Sequence, residues 1–197
     1  MSALSNRVAV AAVAACACAF AAPASAQLLT QKNLSAAMAL TIAQTALETC
    51  KANGYAVSVT VVGRNAEVLA QVRGDGTGPH TMENSFRKAY TSRTFRIPSG
   101  EMVERLKANP QLALIHLNNV IANQGALPIK VGEETIGAAG ASGAPGGEKD
   151  EVCVKAGIDK VASMLKELRL RAAWNRAGDR CASASSCRRA TRRSRWR

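Results

Sequence analysis

The side chains best suited to chemistry in this sequence gather around one histidine. His80 ends an irregular glycine-rich loop that begins at Arg73, and it leads directly into a helical stretch that carries Arg87 and Lys88. An imidazole can ligate a metal such as iron, and guanidinium and ammonium groups bind carboxylates. The pattern therefore indicates a candidate ligand site in which His80, Arg73, Arg87 and Lys88 are the chemically suitable side chains. A second interpretation, in which His80 only makes local hydrogen bonds, stays open.

Other chemistry finds little support in the chain. The second of its two histidines, His116, lies in the apolar stretch 112–120, where a satisfied core or interface residue is the more common outcome. Ser142 lacks the sequence pattern of an activated nucleophile, and Glu133 and Glu134 sit in a turn where solvation is expected. No phosphate-binding loop, zinc helix or dinucleotide fingerprint occurs. We expect a binding protein rather than an enzyme.

A glycine-rich hairpin and loop form the second informative feature. Residues 128–131 and 135–141 are typical of two strands joined by a tight turn, and a glycine-rich loop and a helix follow. Glycine in a strand lets another group approach the backbone closely, and glycine in a loop permits positive φ. We expect Gly137, Gly140 and Gly143 to form a wall of the ligand site opposite His80. Acidic residues at the start of the following helix oppose an anionic ligand such as phosphate.

This segment carries a resemblance to a known family. The residues Pro128-Ile129, Gly132, Ile136-Gly137-Ala138, Gly140, Ser142-Gly143, Asp150 and Ala156-Gly157 resemble the C-terminal signature of the GlcG/HbpS-like haem-binding family. The segment Lys88-Ala89-Tyr90-Thr91-Ser92 is similar to one of its helices. The resemblance implies haem as the cofactor, with His80 as the iron ligand and with Arg73, Arg87 and Lys88 as partners of the propionates. It also implies a five-stranded antiparallel sheet flanked by helices with profilin-like topology, and a homo-oligomer. Members encoded with glycolate or diol genes imply a second possibility, a small organic acid as the ligand.

The apolar periodicity predicts the secondary structure from the residues themselves. A helical stripe follows Thr30 and stops at Asn53-Gly54, and Val57, Val59 and Val61 then alternate with polar residues as in a half-buried strand. Thr81 and Ser99 are expected to cap the next two helices. The predicted order is α-β-β-α-α-β-β-β-α, in which the stretch 112–121 is ambiguous between a helical turn and a strand. Tight turns between neighbouring strands require antiparallel pairing, so we expect an α+β fold with a single sheet of about five strands.

The chain divides into three regions. Residues 1–26 combine a basic start, an alanine-rich apolar run and a small-residue cleavage site, which is typical of a secretory signal peptide. That run is shorter than the roughly 20 residues that span a bilayer, so we expect no stable membrane insertion after cleavage. Residues 27–165 hold the GlcG/HbpS-like domain, and residues 166–197 form an Arg-rich tail. The expected location is the periplasm or the medium.

The tail dominates the charge of the chain. Ten arginines, one lysine and two acids between 166 and 197 give +9 of the net +12. An arm that binds nucleic acid or an anionic membrane would have such a charge. The tail nevertheless has no apolar period and no aromatic spacing suited to stacking bases, and it resembles out-of-frame translation. We therefore expect a disordered tail and no nucleic-acid partner.

The cysteines within the domain are expected to pair. Of the six cysteines, only Cys50 and Cys153 lie between the signal peptide and the tail. In an oxidising compartment two such thiols form a disulfide, whereas a metal site would need further ligands at a suitable spacing. The sequence thus leads to two hypotheses: an exported haem-binding module without catalytic machinery, and a binding or enzymatic accessory for a small carboxylate held by Arg73 or Lys88.

Overall fold

One antiparallel sheet organises the protein. The structure is a computed structural model, and it describes residues 28–162 and 164. The chain divides after Gln31, and the unit considered below begins at Lys32. Its strands are β1 (Ser58–Val62), β2 (Val68–Arg73), β3 (Ala126–Val131) and β4 (Glu134–Ser142), in the spatial order β2-β1-β4-β3. The helices are α1 (Ala36–Ala52), α2 (His80–Phe95), α3 (Ser99–Ala108) and α4, which is described over 147–162. The predicted α+β fold with one antiparallel sheet is confirmed.

The strand count is lower than the sequence suggests, because the described residues form four strands instead of about five. The ambiguous stretch holds a 3-10 helix, Ala113–His116, and no strand. Backbone hydrogen bonds from Leu117 to Leu114 and from Val120 to Leu117 close successive short turns there. Asn119 between them has a φ of 67°, which an extended strand does not tolerate.

The two faces of the sheet are covered differently. Helices α1 and α4 share an apolar core with one face, to which β1 contributes Val59 and Val61. The other face meets α2 through hydroxyl groups: the Oγ of Ser58 lies 2.7 Å from the Oγ1 of Thr81, and the Oγ1 of Thr60 lies 2.7 Å from the Oγ of Ser85. The prediction of a half-buried strand is therefore wrong, because all five residues of β1 are buried. The alternation of β1 separates an apolar face from a buried polar face.

The helix ends depart in part from the predicted caps. Helix α1 begins later than expected, with Ser35 accepting a hydrogen bond from the amide of Met38, although it ends at Asn53 as predicted. Thr81 lies inside α2, which follows Pro79 and has no side-chain cap. Ser99 is the first residue of α3, and its hydroxyl accepts from the amide of Ala126. These hydroxyls are used for tertiary contacts, which local sequence rules do not anticipate.

A disulfide joins the end of α1 to α4. The Sγ atoms of Cys50 and Cys153 are 2.09 Å apart, and the two residues are separated by 103 positions in the chain. A cross-link that closes so long a loop restricts the unfolded chain and stabilises the fold by about 4–5 kcal/mol in the chain-entropy account. The predicted signal peptide at 1–26 and the tail at 166–197 lie outside the described residues. Within the part that is described, no helix combines the length and apolarity that a membrane crossing requires.

Helix α2 packs on Gly140 so closely that a methyl group would not fit. A Cβ built there would lie 2.6 Å from the carbonyl oxygen of Ser85 and 2.9 Å from the amide nitrogen of Ala89. Backbone atoms cannot move aside as a side chain can, so we expect Gly140→Ala to lower the free energy of unfolding by about 1–3 kcal/mol in chemical denaturation.

Gly100→Ala is the matched control. A Cβ at Gly100 in α3 would meet only the side chain of Gln124, at 3.0 Å, and alanine favours a helix over glycine by about 0.5–1 kcal/mol. We expect it to change stability little. An equally small effect of Gly140→Ala would contradict the close packing of α2 on β4.

Candidate functional site

A surface groove lies at the end of the sheet where β1 begins and β4 ends. Its volume is about 420 Å³, and we call it the His80 groove. Helix α2 contributes His80 and Thr81, and three loop segments contribute the rest of the lining: Gly54, Tyr55 and Ala56; Gly76, Thr77 and Gly78; and Gly143 and Pro145. The groove thus brings the predicted histidine-bearing segment together with one end of the glycine-rich segment.

His80 is exposed at the first position of α2. Its ring folds back toward the preceding loop, because a Cβ at Gly78 would lie 2.8 Å from the imidazole Cε1. No hydrogen bond of its ring occurs among the residues that the structure describes. An exposed imidazole on a rigid helix end can bind a metal centre that enters the groove.

Arg73 holds the loop that forms one wall of this groove. Its Nε donates to the Oγ1 of Thr77 at 3.2 Å, and its NH2 group donates to the carbonyl of Thr77 at 2.8 Å. The Thr77 hydroxyl also donates to the carbonyl of Gly74. Arg73 does not line the groove, so it positions the loop between β2 and α2.

Lys88 is the predicted site residue whose surroundings differ most from the expectation. It is only 2% exposed, and its Nζ lies 2.8 Å from Asp150 Oδ2 and 3.1 Å from the carbonyl oxygen of Ala141. The other carboxylate oxygen of Asp150 accepts from the amide of Ala144 at 3.1 Å. This buried ion pair joins α2 to α4, to the end of β4 and to the loop after it, so Lys88 has no free donor directed at a surface ligand.

Burial raises the pKa of the Asp150 carboxyl above its ordinary value. The positive charge of Lys88 and the hydrogen bonds from Lys88 and from the Ala144 amide act in the opposite direction and limit the rise. Gly125 closes the ion pair on its remaining side: its φ is +133°, and a Cβ there would lie 2.6 Å from the Nζ of Lys88. Only glycine combines that backbone conformation with that contact.

The remaining predicted residues lie away from the groove or only at its rim. Arg87 donates to the carbonyl of Val120 at 3.0 Å and does not line the groove. A Cβ at Gly137 would lie 2.5 Å from the carbonyl oxygen of Val62, so this glycine, like Gly140, serves packing. Gly143 does line the groove, with a φ of +135°. The structure brings together His80 and Gly143, and it does not bring Arg87, Lys88, Gly137 or Gly140 to them.

Sequence reasoning did not predict the groove position of Tyr55, the contact of Lys149 with it, or the burial of Asp150. Tyr55 lines the His80 groove and also a neighbouring groove of about 310 Å³, which we call the Lys51 groove and which Lys51 and Asp75 border. Lys149 lies over the ring of Tyr55. Asp150 belongs to the family signature and to the acidic start of α4, but its charged sequence neighbours do not predict that it is buried. His116, expected to be satisfied in the core or an interface, is exposed on the 3-10 helix.

No cluster of three or more His, Cys, Asp or Glu side chains suited to a metal ion occurs among the described residues.

The family of the chain is shown by its similarity to known proteins. Residues 34–159 match the family described as haem degrading protein HbpS-like. The chain belongs to the HbpS-like family. The predicted relationship is confirmed, and it supports a haem-related function.

Two crystal structures of HbpS are similar to this chain. One has 31% identity and a TM-score of 0.67, covering 72% of this chain and 99% of that chain. The other, a double mutant of HbpS from Streptomyces reticuli in which aspartate replaces two glutamates, has 32% identity and a TM-score of 0.66, covering 72% and 98%. A PduOC:heme complex, at 18% identity and a TM-score of 0.61 over 66% of this chain and 95% of that chain, shares the fold. No curated protein sequence matches the chain significantly.

The raised pKa of Asp150 predicts a defined pH dependence of stability. Because the folded state holds the proton of Asp150 more tightly than the unfolded chain does, this group contributes most to stability below the ordinary aspartate pKa of about 3.9. Its contribution falls as the pH rises through the raised folded pKa. We expect the stability of the wild type relative to Asp150→Asn, measured by chemical denaturation at a series of pH values, to decrease upward from about pH 4. An increase over that range would show that the attraction of Lys88 outweighs burial.

Proposed function

We propose that this protein is an exported haem-binding protein that holds the iron through His80, in a storage, sensing or accessory role. The observation that carries the proposal is the exposed imidazole of His80 at the rim of a groove between two glycine-containing loops. Membership of the HbpS-like family supports haem as the ligand. The fold shared with a PduOC:heme complex is compatible with it.

The types of side chain that line the His80 groove are suited to haem. The iron would take His80 as its protein ligand, and Tyr55 and Pro145 offer flat apolar surfaces against which a planar ring can pack. At Gly54 and Gly76 an added Cβ would meet nothing within 4 Å, so the rim is open there. The volume of about 420 Å³ is within the range of small-molecule sites.

The side chains of the His80 groove favour ligand binding over catalysis. Its two threonine hydroxyls are engaged in the fold: Thr77 bonds Arg73 and Gly74, and Thr81 donates to the carbonyl of Gly78 and contacts Ser58. Neither hydroxyl is placed beside a base and an orienting acid, as an activated nucleophile would be. The proposed role is therefore to bind haem, and any chemistry would come from the iron.

The two cations predicted to bind a small organic acid make other contacts. Lys88 is buried against Asp150, and the guanidinium of Arg73 is bonded to Thr77. Neither group lines the His80 groove or the Lys51 groove. We therefore keep haem as the proposed ligand.

Export is part of the proposal, supported by the signal-peptide pattern of residues 1–26 and by the Cys50–Cys153 disulfide. Disulfides form and persist in oxidising compartments such as the periplasm and the extracellular medium. Homo-oligomerisation stays a prediction.

Titration of the purified full chain with haemin tests the proposal. We expect saturable binding with a shift of the Soret band, and we expect His80→Ala to weaken binding at least about tenfold through loss of the iron ligand. His116→Ala is the matched control, since it removes the other histidine of the chain, which is exposed on the 3-10 helix away from the groove-lining residues. Absence of a saturable Soret shift in the wild type, or equal binding by His80→Ala and the wild type, would rule out the proposed ligation.

A further inference from the structure

If the ligand of the His80 groove is a porphyrin, the acidic groups of that ligand need cationic partners in the protein. The residues predicted for that role make other contacts. Arg73 holds Thr77, Arg87 holds the carbonyl of Val120, and Lys88 is buried with Asp150. A different cation, Lys149, does not line the groove itself but contacts one of its lining residues, Tyr55. The Nζ of Lys149 is 5.4 Å from the centroid of the Tyr55 ring, and Tyr55 lines both the His80 groove and the Lys51 groove.

The helix dipole alone does not favour a cation at the position of Lys149. This residue lies in the first turn of α4, where the positive end of the helix dipole disfavours a cation. Among the described residues it forms no ion pair: Asp150 is bound to Lys88, Glu151 accepts from Gln124, and the carboxylate of Glu148 lies over Gly146. Contact with an aromatic face attracts an ammonium group without neutralising it. The contact with Tyr55 therefore positions the ammonium group of Lys149, and the three N–H donors of that group stay available to an anion.

Tyr55 and Lys149 are also held in a fixed relation to each other. The amide of Tyr55 donates to the carbonyl of Cys50 at 2.9 Å, which ties Tyr55 to the end of α1. The disulfide from Cys50 to Cys153 then ties that end to α4, which carries Lys149 one turn earlier. A binding group that is positioned before the ligand arrives loses less conformational entropy on binding.

We propose that Tyr55 and Lys149 form a carboxylate subsite beside the His80 groove, which would bind a propionate group of a porphyrin. This inference rests on the proposed haem function. Lys51 also borders Tyr55, but it shares the Lys51 groove with Asp75, whose carboxylate opposes an anionic ligand. The subsite is therefore assigned to Lys149. It would select ligands that combine a planar apolar ring with a free carboxylate.

Iron-free protoporphyrin IX and its dimethyl ester test the subsite separately from iron ligation. The two ligands share the ring and differ in the free carboxylates, and neither needs His80 as an iron ligand. Binding is measured by ligand fluorescence with the full chain. We expect the wild type to bind the diacid about fivefold more tightly than the diester, the effect of one partly exposed ion pair. We expect Lys149→Met, which keeps the length and the contact with Tyr55, to remove that preference.

Lys155→Met is the matched control on the same helix, because Lys155 forms an exposed ion pair with Asp159. It should keep the preference for the diacid. Equal binding of diacid and diester by the wild type, binding of neither ligand, or an unchanged preference in Lys149→Met would overturn the subsite. Failure of the haem proposal has a different signature: the diacid preference and its loss in Lys149→Met persist, while haemin produces no His80-dependent Soret shift.

Discussion

The buried ion pair between Lys88 and Asp150 is the interaction on which the geometry of the site depends. Lys88 comes from α2, Asp150 from α4, the Ala141 carbonyl from β4, and the Ala144 amide from the loop that leads into the groove wall. Gly125 closes the remaining side. Removing two charged groups from water is costly, and the raised pKa of Asp150 reflects this cost. The ion pair is therefore not expected to add much to the free energy of unfolding. Its effect is to fix how α2, which carries His80, meets the loop that carries Gly143 and Pro145.

The glycines divide between two tasks that follow from this arrangement. Gly137 and Gly140 let other backbone segments approach β4, and the hydroxyl contacts of Ser58 and Thr60 then seat α2 on the sheet. Gly143 instead turns the chain out of β4 and into the groove wall. The opposite face of the sheet, with α1, α4 and the disulfide, supplies the apolar core. The His80 groove thus lies at the end of the sheet, and its lining draws on both faces: Thr81 belongs to the polar layer, whereas Tyr55 packs against the apolar core.

Sequence reasoning reached the fold class, the cysteine pairing and the juxtaposition of His80 with Gly143, because these depend on local periodicity, on compartment chemistry and on turn residues. It misplaced Lys88, since a lysine is almost never fully buried unless it is paired, and its partner Asp150 lies 62 residues away. It also put Ser58 and Thr60 toward solvent, because alternation separates two faces of a strand without saying what covers each face. The Tyr55–Lys149 contact depends on the approach of two helix ends, which no local pattern encodes.

Amide hydrogen exchange at Ala144 tests most directly whether Asp150, held by Lys88, fixes the groove wall. The Ala144 amide donates to Asp150 Oδ1, whereas the Gly63 amide, at the other end of β1, donates to the carbonyl of Glu67 and serves as an internal reference. The account predicts that Asp150→Ala removes protection at Ala144, that Lys88→Met reduces it, and that Gly63 keeps its protection in both variants. Unchanged protection of Ala144 in Asp150→Ala would contradict the account.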